Sequence, residues 1–305
     1  MKKKIIFIVG PTATGKTEAA LSLAKKINGE IISCDSMQVY KGMDVLTSQP
    51  SLKFKKQIPH HLIDIVPPTR EYNVASYHKA ALRKINEIIK RGKVPVFAGG
   101  TGLYMSIAVN GIFKIKPPSE LIRKRLYRQA EIQGSRYLHD KLKKIDPQAA
   151  LKIHPNDTKR LVRALEVFMA TGKPISYLQK QRKGLSENYD VEIFCLDLPQ
   201  ELLYSRIEKR VDRMFKQGLL GEVEKLLKLK LSKTAQYAIG INELKGYFKG
   251  EYDLDTAKAL MKRNTKAYAK RQLTWFRKDK RIKWLQIKEN QKPRNIGDRI
   301  WKELF

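Results

Sequence analysis

The stretch Ile5-Ile6-Phe7-Ile8-Val9-Gly10-Pro11-Thr12-Ala13-Thr14-Gly15-Lys16-Thr17 sets an apolar run directly before a complete G-x-x-x-x-G-K-[ST] pattern. The run has the length of a buried strand. The glycines behind it allow backbone N–H groups to converge on phosphate oxygens, with Lys16 as a point charge and the Thr17 hydroxyl as a ligand for Mg²⁺. Residues from Glu18 to Lys26 then read as a helix whose positive end faces the same phosphates. Strand, loop and helix fall in the order the motif needs, so the chain is expected to bind a di- or triphosphate.

Outward from this motif, strands alternate with helices. Ile5–Val9, Glu30–Cys34 and Lys93–Ala98 read as buried strands, with helices over Glu18–Ile27 and Val74–Arg91. Short buried strands joined by amphipathic helices predict an α/β, doubly wound parallel sheet. Ligands in such sheets gather at the carboxyl ends of strands. Three such ends carry polar residues: the phosphate loop, Asp35-Ser36, and Gly99-Gly100-Thr101. After Lys114-Ile-Lys-Pro117-Pro118 the pattern changes. Ser119–Gln133, Ser135–Lys144, Asp157–Met169 and Pro174–Arg182 read as helices, with Ser119 and Asn156 or Asp157 as N-caps. Val191–Asp197 returns to strand. Pro117-Pro118 and the segment near Asn188–Asp190 are read as hinges, so residues 1–113 and 191–305 form a core into which 114–190 inserts as an all-helical domain. Gln200–Gln217, Gly221–Lys230, Gly240–Lys249 and Leu254–Phe276 read as further helices, and Ile282–Gln286 as a last short strand.

Lys and Arg total 62 against 30 Asp and Glu, a formal net charge of +32 over 305 residues. Such self-repulsion gives nothing to an enzyme of small metabolites but suits a nucleic-acid partner through counterion release. Cys34 and Cys195 read as buried core thiols of a reducing compartment, outside any metal-ligand spacing. Met-Lys-Lys-Lys precedes an apolar run too short for a signal peptide, and no stretch has the length of a membrane span, so a cytoplasmic protein without membrane association is expected.

Asp35, at the end of its strand, can accept a proton from an attacking group, or it can cap the turn that follows. Gly99-Gly100-Thr101-Gly102 allows close substrate approach, or is a plain strand-to-helix turn. No acid ends the Lys93–Ala98 strand, which disfavours an ATPase that needs one there for Mg²⁺. Arg206 and Arg210 share a helix face at i, i+4, with Arg213 nearby. They suit a phosphate clamp, or a solvated face paired with Glu208 and Asp212. Lys262–Lys283 is the strongest basic run and interleaves Tyr268, Trp275, Phe276 and Trp284, a mixture suited to stacked nucleic acid. At least one of Trp275 and Phe276 is expected on the core side of its helix. His60-His61 is read as shaping a loop, and the histidines lack ligand spacing.

Several blocks taken in order carry a family resemblance: the phosphate loop, Asp35-Ser-Met-Gln-Val-Tyr-Lys-Gly-Met-Asp44, Pro59-His-His-Leu-Ile-Asp64 and Val96-Phe-Ala-Gly-Gly-Thr-Gly-Leu-Tyr104. His154-Pro-Asn-Asp-Thr-Lys-Arg-Leu-Val-Arg-Ala-Leu-Glu166 and Ala269-Lys-Arg-Gln-Leu-Thr-Trp275 follow. Together they resemble the bacterial tRNA dimethylallyltransferases (isopentenyltransferases) over nearly the whole chain. The resemblance implies a P-loop NTPase-like core with a helical insertion. It also implies transfer of a dimethylallyl group from dimethylallyl diphosphate to N6 of the adenine 3′-adjacent to the anticodon, with Mg²⁺ as cofactor and a monomer as the working unit.

Asp35 matches the family's general base, with Lys16, Thr17, Thr101 and Arg210 completing the expected catalytic set and Thr17 on the metal. Diphosphate is expected on Gly10, Pro11, Thr12, Ala13, Thr14, Gly15, Lys16 and Thr17, with Arg206 and Arg210. The tRNA is expected on Asp35, Ser36, Met37, Gln38 and Thr101, on Arg123, Lys159, Arg160, Leu161, Val162 and Arg163 of the insertion, and on Lys266, Lys270, Arg271 and Gln272. The chain departs from the family at Leu46-Thr-Ser-Gln49-Pro50, where a lysine is usual, and at Ile241-Asn242, which replaces a usual Tyr-Lys pair. The competing readings are an ATP-dependent kinase of small metabolites and a non-catalytic nucleic-acid-binding module. The first leaves the Lys262–Lys283 run idle, and the second leaves Lys16, Thr17 and Asp35 without a purpose.

Overall fold

The computed structural model describes residues 2–113, 115 and 120–304. The expected hinge at Pro117-Pro118 and the expected cap Ser119 lie outside the described residues. The described chain divides into two units, residues 1–109 with 185–305, and residues 110–184.

In chain order the first unit begins with β1 (Lys4–Val9), α1 (Lys16–Lys26), β2 (Gly29–Ser33), α2 (Leu52–Gln57), β3 (His60–His61), α3 (Val74–Lys90), β4 (Val94–Gly99) and α4 (Gly102–Asn110). The second unit holds α5 (Glu120–Ile145), α6 (Pro147–Ala150), α7 (Thr158–Thr171) and α8 (Ile175–Lys180). The first unit then resumes with α9 (Leu185–Asn188), β5 (Asp190–Asp197), α10 (Gln200–Lys216), α11 (Leu219–Leu227), a 3₁₀ turn (Ala235–Tyr237), α12 (Ile241–Phe248), α13 (Leu254–Phe276), β6 (Lys283–Gln286) and α14 (Pro293–Leu304).

The sheet runs β3-β2-β4-β1-β5-β6, with every described pairing parallel. The phosphate-loop strand β1 is central and buried on both faces, which is why it reads as an unbroken apolar run. Its side chains alternate between two cores. Ile5, Phe7 and Val9 join Ile32, Phe97 and Ile193 on one face. Ile6 and Ile8 join Ile31, Val96, Phe194 and Leu196 on the other. Phe7 stacks on Phe97 of the neighbouring strand, with ring centroids 4.3 Å apart. Cys34 and Cys195 are buried free thiols, as expected.

The reading changes at two places. His60-His61 is the edge strand of the sheet, with Ile31 and Ile32 as register partners, and not a loop. His61 is held there by Glu30, whose carboxylate lies 2.7 Å from its Nε2. Gly99-Gly100-Thr101 leads from β4 straight into the buried helix α4, so the strand-to-helix turn expected there is present. Helix α14 was not foreseen: Ile296 and Ile300 pack into the core beside α1, and Gly297 comes so close to Ser22 that a Cβ would stand 2.7 Å from its Oγ.

In the second unit Gly134 (φ 80°, ψ 158°) breaks α5 near the expected division, and Asp157 caps α7 by accepting from the Arg160 N–H at 3.1 Å. Asp146 ties the unit together by accepting from Ala149 N at 2.9 Å and Ser176 N at 2.8 Å. The chain crosses between units at Asn110 and Gly184, against expected limits of 114 and 190. Leu185 is buried in the core of the first unit, so the segment before β5 already belongs there.

Candidate active site

The phosphate loop owes its shape to left-handed backbone at Gly10 (φ 144°), Ala13 (φ 65°) and Gly15 (φ 85°). At Gly10 a Cβ would also stand 2.7 Å from the Leu196 carbonyl oxygen, so only glycine fits between β1 and β5. The Thr14 hydroxyl donates to the Pro11 carbonyl at 2.9 Å, and the Lys16 ammonium donates to the same oxygen at 2.6 Å. Burial, and then Arg210, pull the Lys16 pKa down to about 8, while Asp35 pulls the other way. Burial likewise lowers the pKa of Arg210, with Asp35 opposing. Two cations and one carboxylate therefore feel one another across the cleft.

Asp35 follows β2. Its Oδ1 accepts from the Met37 N–H at 2.9 Å and the Gln38 N–H at 3.4 Å, so it caps the turn while Oδ2 is left for other work. The two readings of this residue are thus compatible. Thr101, after β4, holds the turn from the opposite side: its Oγ1 accepts from Ser36 N at 3.0 Å and donates to Ser36 Oγ at 3.3 Å. Ser33 Oγ donates to the Gln38 side-chain oxygen at 2.9 Å. Thr101 is placed to shape the turn.

A cavity of about 410 Å³ opens over these groups. Thr12, Lys16, Thr17, Asp35, Arg210 and Arg271 supply its polar lining, and Met37, Leu46, Val211, Met214, Ile239 and Met261 its apolar lining. Ser36 and Gln38 line it too. The volume and the mixture suit a small ligand with a charged head and a hydrocarbon tail. The apolar wall was missed in the sequence because its members come from separate segments and each reads as an ordinary core residue. Tyr237 on the rim, 69% exposed, was missed for the same reason.

Of the expected clamp, only Arg210 lines the cavity. Arg206 donates to the Glu289 carbonyl at 3.1 Å, and Arg213 is exposed. Glu208 and Asp212 pair with α13 and not with these arginines: Lys266 meets Glu208, and Lys262 meets Asp212 at 2.7 Å. Lys266 also lies 5.2 Å from the Tyr204 ring centroid. These pairs take two cations out of the basic run, while Arg263, Lys270, Arg271, Arg277 and Lys278 remain exposed. Phe276 is fully buried and Trp275 partly exposed, which divides them as foreseen. Gln272 is not on the basic surface. It is 5% exposed and donates to the Gly100 carbonyl at 2.8 Å while accepting from the Thr12 N–H at 3.0 Å.

In the helical unit, Leu161 and Val162 are buried among Leu126, Leu138 and Leu142, so their place on the apolar face of α7 withdraws them from any RNA. Arg123 grips Glu166 through Nε at 2.9 Å and Nη2 at 3.2 Å, and Arg163 reaches the same carboxylate at 2.9 Å. Glu166 is 1% exposed, so these arginines neutralise a buried charge whatever else they touch. Arg160 pairs with Asp157 at 3.0 Å, and Lys159 is exposed. Of the departures from the family pattern, Gln49 donates to Asp64 at 2.5 Å and accepts from Lys55 at 3.0 Å, so a lysine six residues on stands beside it. Ile241 is buried in the core and Asn242 is exposed.

Two family models match the chain, "IPP transferase" over residues 38–279 and "Isopentenyl transferase" over residues 3–58. A tRNA dimethylallyltransferase of Carboxydothermus hydrogenoformans is 48% identical over 93% of this chain and 92% of its own length. One from Alkaliphilus oremlandii is 44% identical over 100% and 98%. Among solved structures, a full-length tRNA isopentenylpyrophosphate transferase of Bacillus halodurans matches with a TM-score of 0.72 and 39% identity, over 99% of this chain and 97% of that one. A eukaryotic dimethylallyltransferase acting on tRNA matches with a TM-score of 0.80 and 31% identity, over 93% and 74%.

Proposed function

The chain belongs to the IPP transferase family, and from that premise we propose that it transfers a dimethylallyl group from dimethylallyl diphosphate to N6 of the adenine 3′-adjacent to the anticodon in tRNA, releasing diphosphate. The observation that carries the reading is a single cavity shared by the phosphate loop, the Asp35 carboxylate and an apolar wall. Diphosphate oxygens would displace the Pro11 carbonyl as the partner of Lys16, with Arg210 beside them, and so stabilise the charge that builds up as the allylic C–O bond breaks. The hydrocarbon tail would lie against Leu46, Met214 and Met261. An exocyclic amine of adenine is a weak nucleophile, so Asp35 takes its proton as the new N–C bond forms. Ser36, Met37 and Gln38 line the cavity beside Asp35 and would meet the base, which must leave its stack to arrive there.

Mg²⁺ fits this arrangement as an ion shared with the substrate. Among the described residues no cluster of three or more His, Cys, Asp or Glu could hold a metal, but the Thr17 hydroxyl and diphosphate oxygens form a donor set suited to a hard cation. Bound there, the ion neutralises leaving-group charge. Lys270 and Arg271, exposed on α13, and Lys159, Arg160, Arg123 and Arg163 of the helical unit would meet RNA phosphates. Among the described residues no helix is long and apolar enough to cross a membrane.

The test is incubation of the purified protein with unmodified tRNA and labelled dimethylallyl diphosphate. Label should enter the adenosine next to the anticodon with release of diphosphate. No transfer, together with phosphorylation of a small acceptor from ATP, would overturn the reading in favour of a kinase.

A further inference from the structure

Among the polar side chains that helix α13 presents to the cavity are Tyr268 and Gln272, one helical turn apart. Gln272 is buried, and its amide is fully committed: the oxygen accepts from the Thr12 N–H of the phosphate loop, and the nitrogen donates to the Gly100 carbonyl beyond β4. The fit is close. A Cβ at Gly100 would overlap the Gln272 amide nitrogen and would stand 3.3 Å from the Gly10 carbonyl oxygen. Tyr268 lines the same cavity as Asp35 and Ser36, and the Thr101 hydroxyl holds Ser36 in the turn that starts at Asp35. One rigid helix is therefore bonded both to the loop expected to hold the electrophile and to the strand end at Gly100, and it lines the cavity facing the turn expected to hold the nucleophile's base.

We propose that Gln272 is a positioning residue that fixes the phosphate loop against the strand end at Gly100, and so sets the diphosphate subsite relative to the Asp35–Gln38 turn. The proposal rests on the transferase reading. The Gln272 side chain need not touch the reacting atoms. Gln272 keeps the Thr12 amide turned away from the phosphates and so leaves the later amides of the loop converging on them. In-line attack on an allylic carbon requires the amine and the leaving oxygen at a fixed separation, which two loops on separate strands would not hold by themselves.

The experiment crosses two variants with two ligands on the full chain: magnesium pyrophosphate by calorimetry, and an unmodified anticodon stem-loop RNA by filter binding, with single-turnover rates alongside. Gln272→Met removes both amide bonds. It should weaken pyrophosphate binding by about tenfold, the effect of leaving a loop amide unsatisfied, with RNA affinity unchanged. Its single-turnover rate should fall by about tenfold as well. Gln272→Glu keeps an acceptor for Thr12 but sets a carboxylate against the Gly100 carbonyl, and should fall with Gln272→Met. Should Gln272→Met fail to fold, Gly100→Ala displaces the same amide from the opposite side and must reproduce its pyrophosphate defect. Parental pyrophosphate affinity in a folded Gln272 or Gly100 variant, or a loss confined to RNA binding, overturns the proposal. Failure of the parent protein to bind pyrophosphate would instead overturn the transferase reading.

Discussion

Replacing Asp35 by Asn and by Ala separates the two jobs that the structure gives this carboxylate. Oδ1 accepts from Met37 N at 2.9 Å and Gln38 N at 3.4 Å, an arrangement that an Asn side-chain oxygen can keep and Ala cannot. Asp35→Asn should therefore unfold in urea at nearly the parental midpoint, whereas Asp35→Ala should lose about 1–2 kcal/mol, since the better of the two bonds leaves a partly buried donor unsatisfied. Both variants lose the proton acceptor. General-base catalysis contributes about 10²–10⁴-fold, or roughly 2.7–5.4 kcal/mol of barrier, so both should fall by that factor in single-turnover transfer from labelled dimethylallyl diphosphate to tRNA. tRNA affinity should stay within about tenfold for Asp35→Asn, where at most one base hydrogen bond changes. A transfer rate for Asp35→Asn within about tenfold of the parent's would refute the base assignment. A stable, inactive Asp35→Ala matching Asp35→Asn in urea would refute the capping role.

Diphosphate binding should weaken as pH rises through about 8, where the Lys16 ammonium of the free enzyme loses its proton; calorimetry with pyrophosphate from pH 6.5 to 9.5 checks this, and a flat profile refutes it. The linked stability change has the opposite sign. Because the folded-state value is depressed, the unfolded chain holds more protons between about 8 and the ordinary lysine value, so Lys16 makes the ligand-free protein more stable as pH rises through that window. On α13, Lys270→Ala and Arg271→Ala should each reduce the salt slope of tRNA binding by about 0.7–0.9, while Lys262→Ala and Lys266→Ala, whose cations are paired with Asp212 and Glu208, should change it much less. Equal slopes across the four would remove that distinction. In the helical unit, Arg123→Ala and Arg163→Ala each leave Glu166 one partner, but the double variant strands a buried carboxylate and should cost about 3–5 kcal/mol in urea unfolding, more than the sum of the singles. Strict additivity would show that the carboxylate finds solvent.

Much of the core was legible before any coordinates, because local patterns encode it. A strand buried on both faces must be a continuous apolar run, a phosphate loop must place glycine where left-handed backbone occurs, and the break at Gly134 and the cap at Asp157 follow from single residues. Where the local pattern was weak, the reading went astray. A two-residue edge strand at His60-His61 carries too little periodicity to register.

The candidate site divides along the same line. Residues clustered in one stretch, such as Gly10–Thr17 and Asp35–Gln38, were found because their chemistry and their spacing coincide. Side-chain direction was not available: a basic run looks uniformly cationic until Lys262 and Lys266 turn to the acids of α10, and Leu161 and Val162 look accessible until the packing of α7 buries them. The apolar wall of Leu46, Met214 and Met261, and the hold of Gln272 on Thr12 and Gly100, belong to no local pattern. They exist only where segments as far apart as residues 12 and 272 are brought within hydrogen-bond distance, which depends on the order and register of the parallel sheet. Sequence alone determined the phosphate loop and the chemistry at the strand ends, since each is a property of a few consecutive residues. Only the tertiary structure decided which distant side chains wall the cavity, clamp its loops or neutralise one another, since those are properties of distance across the fold.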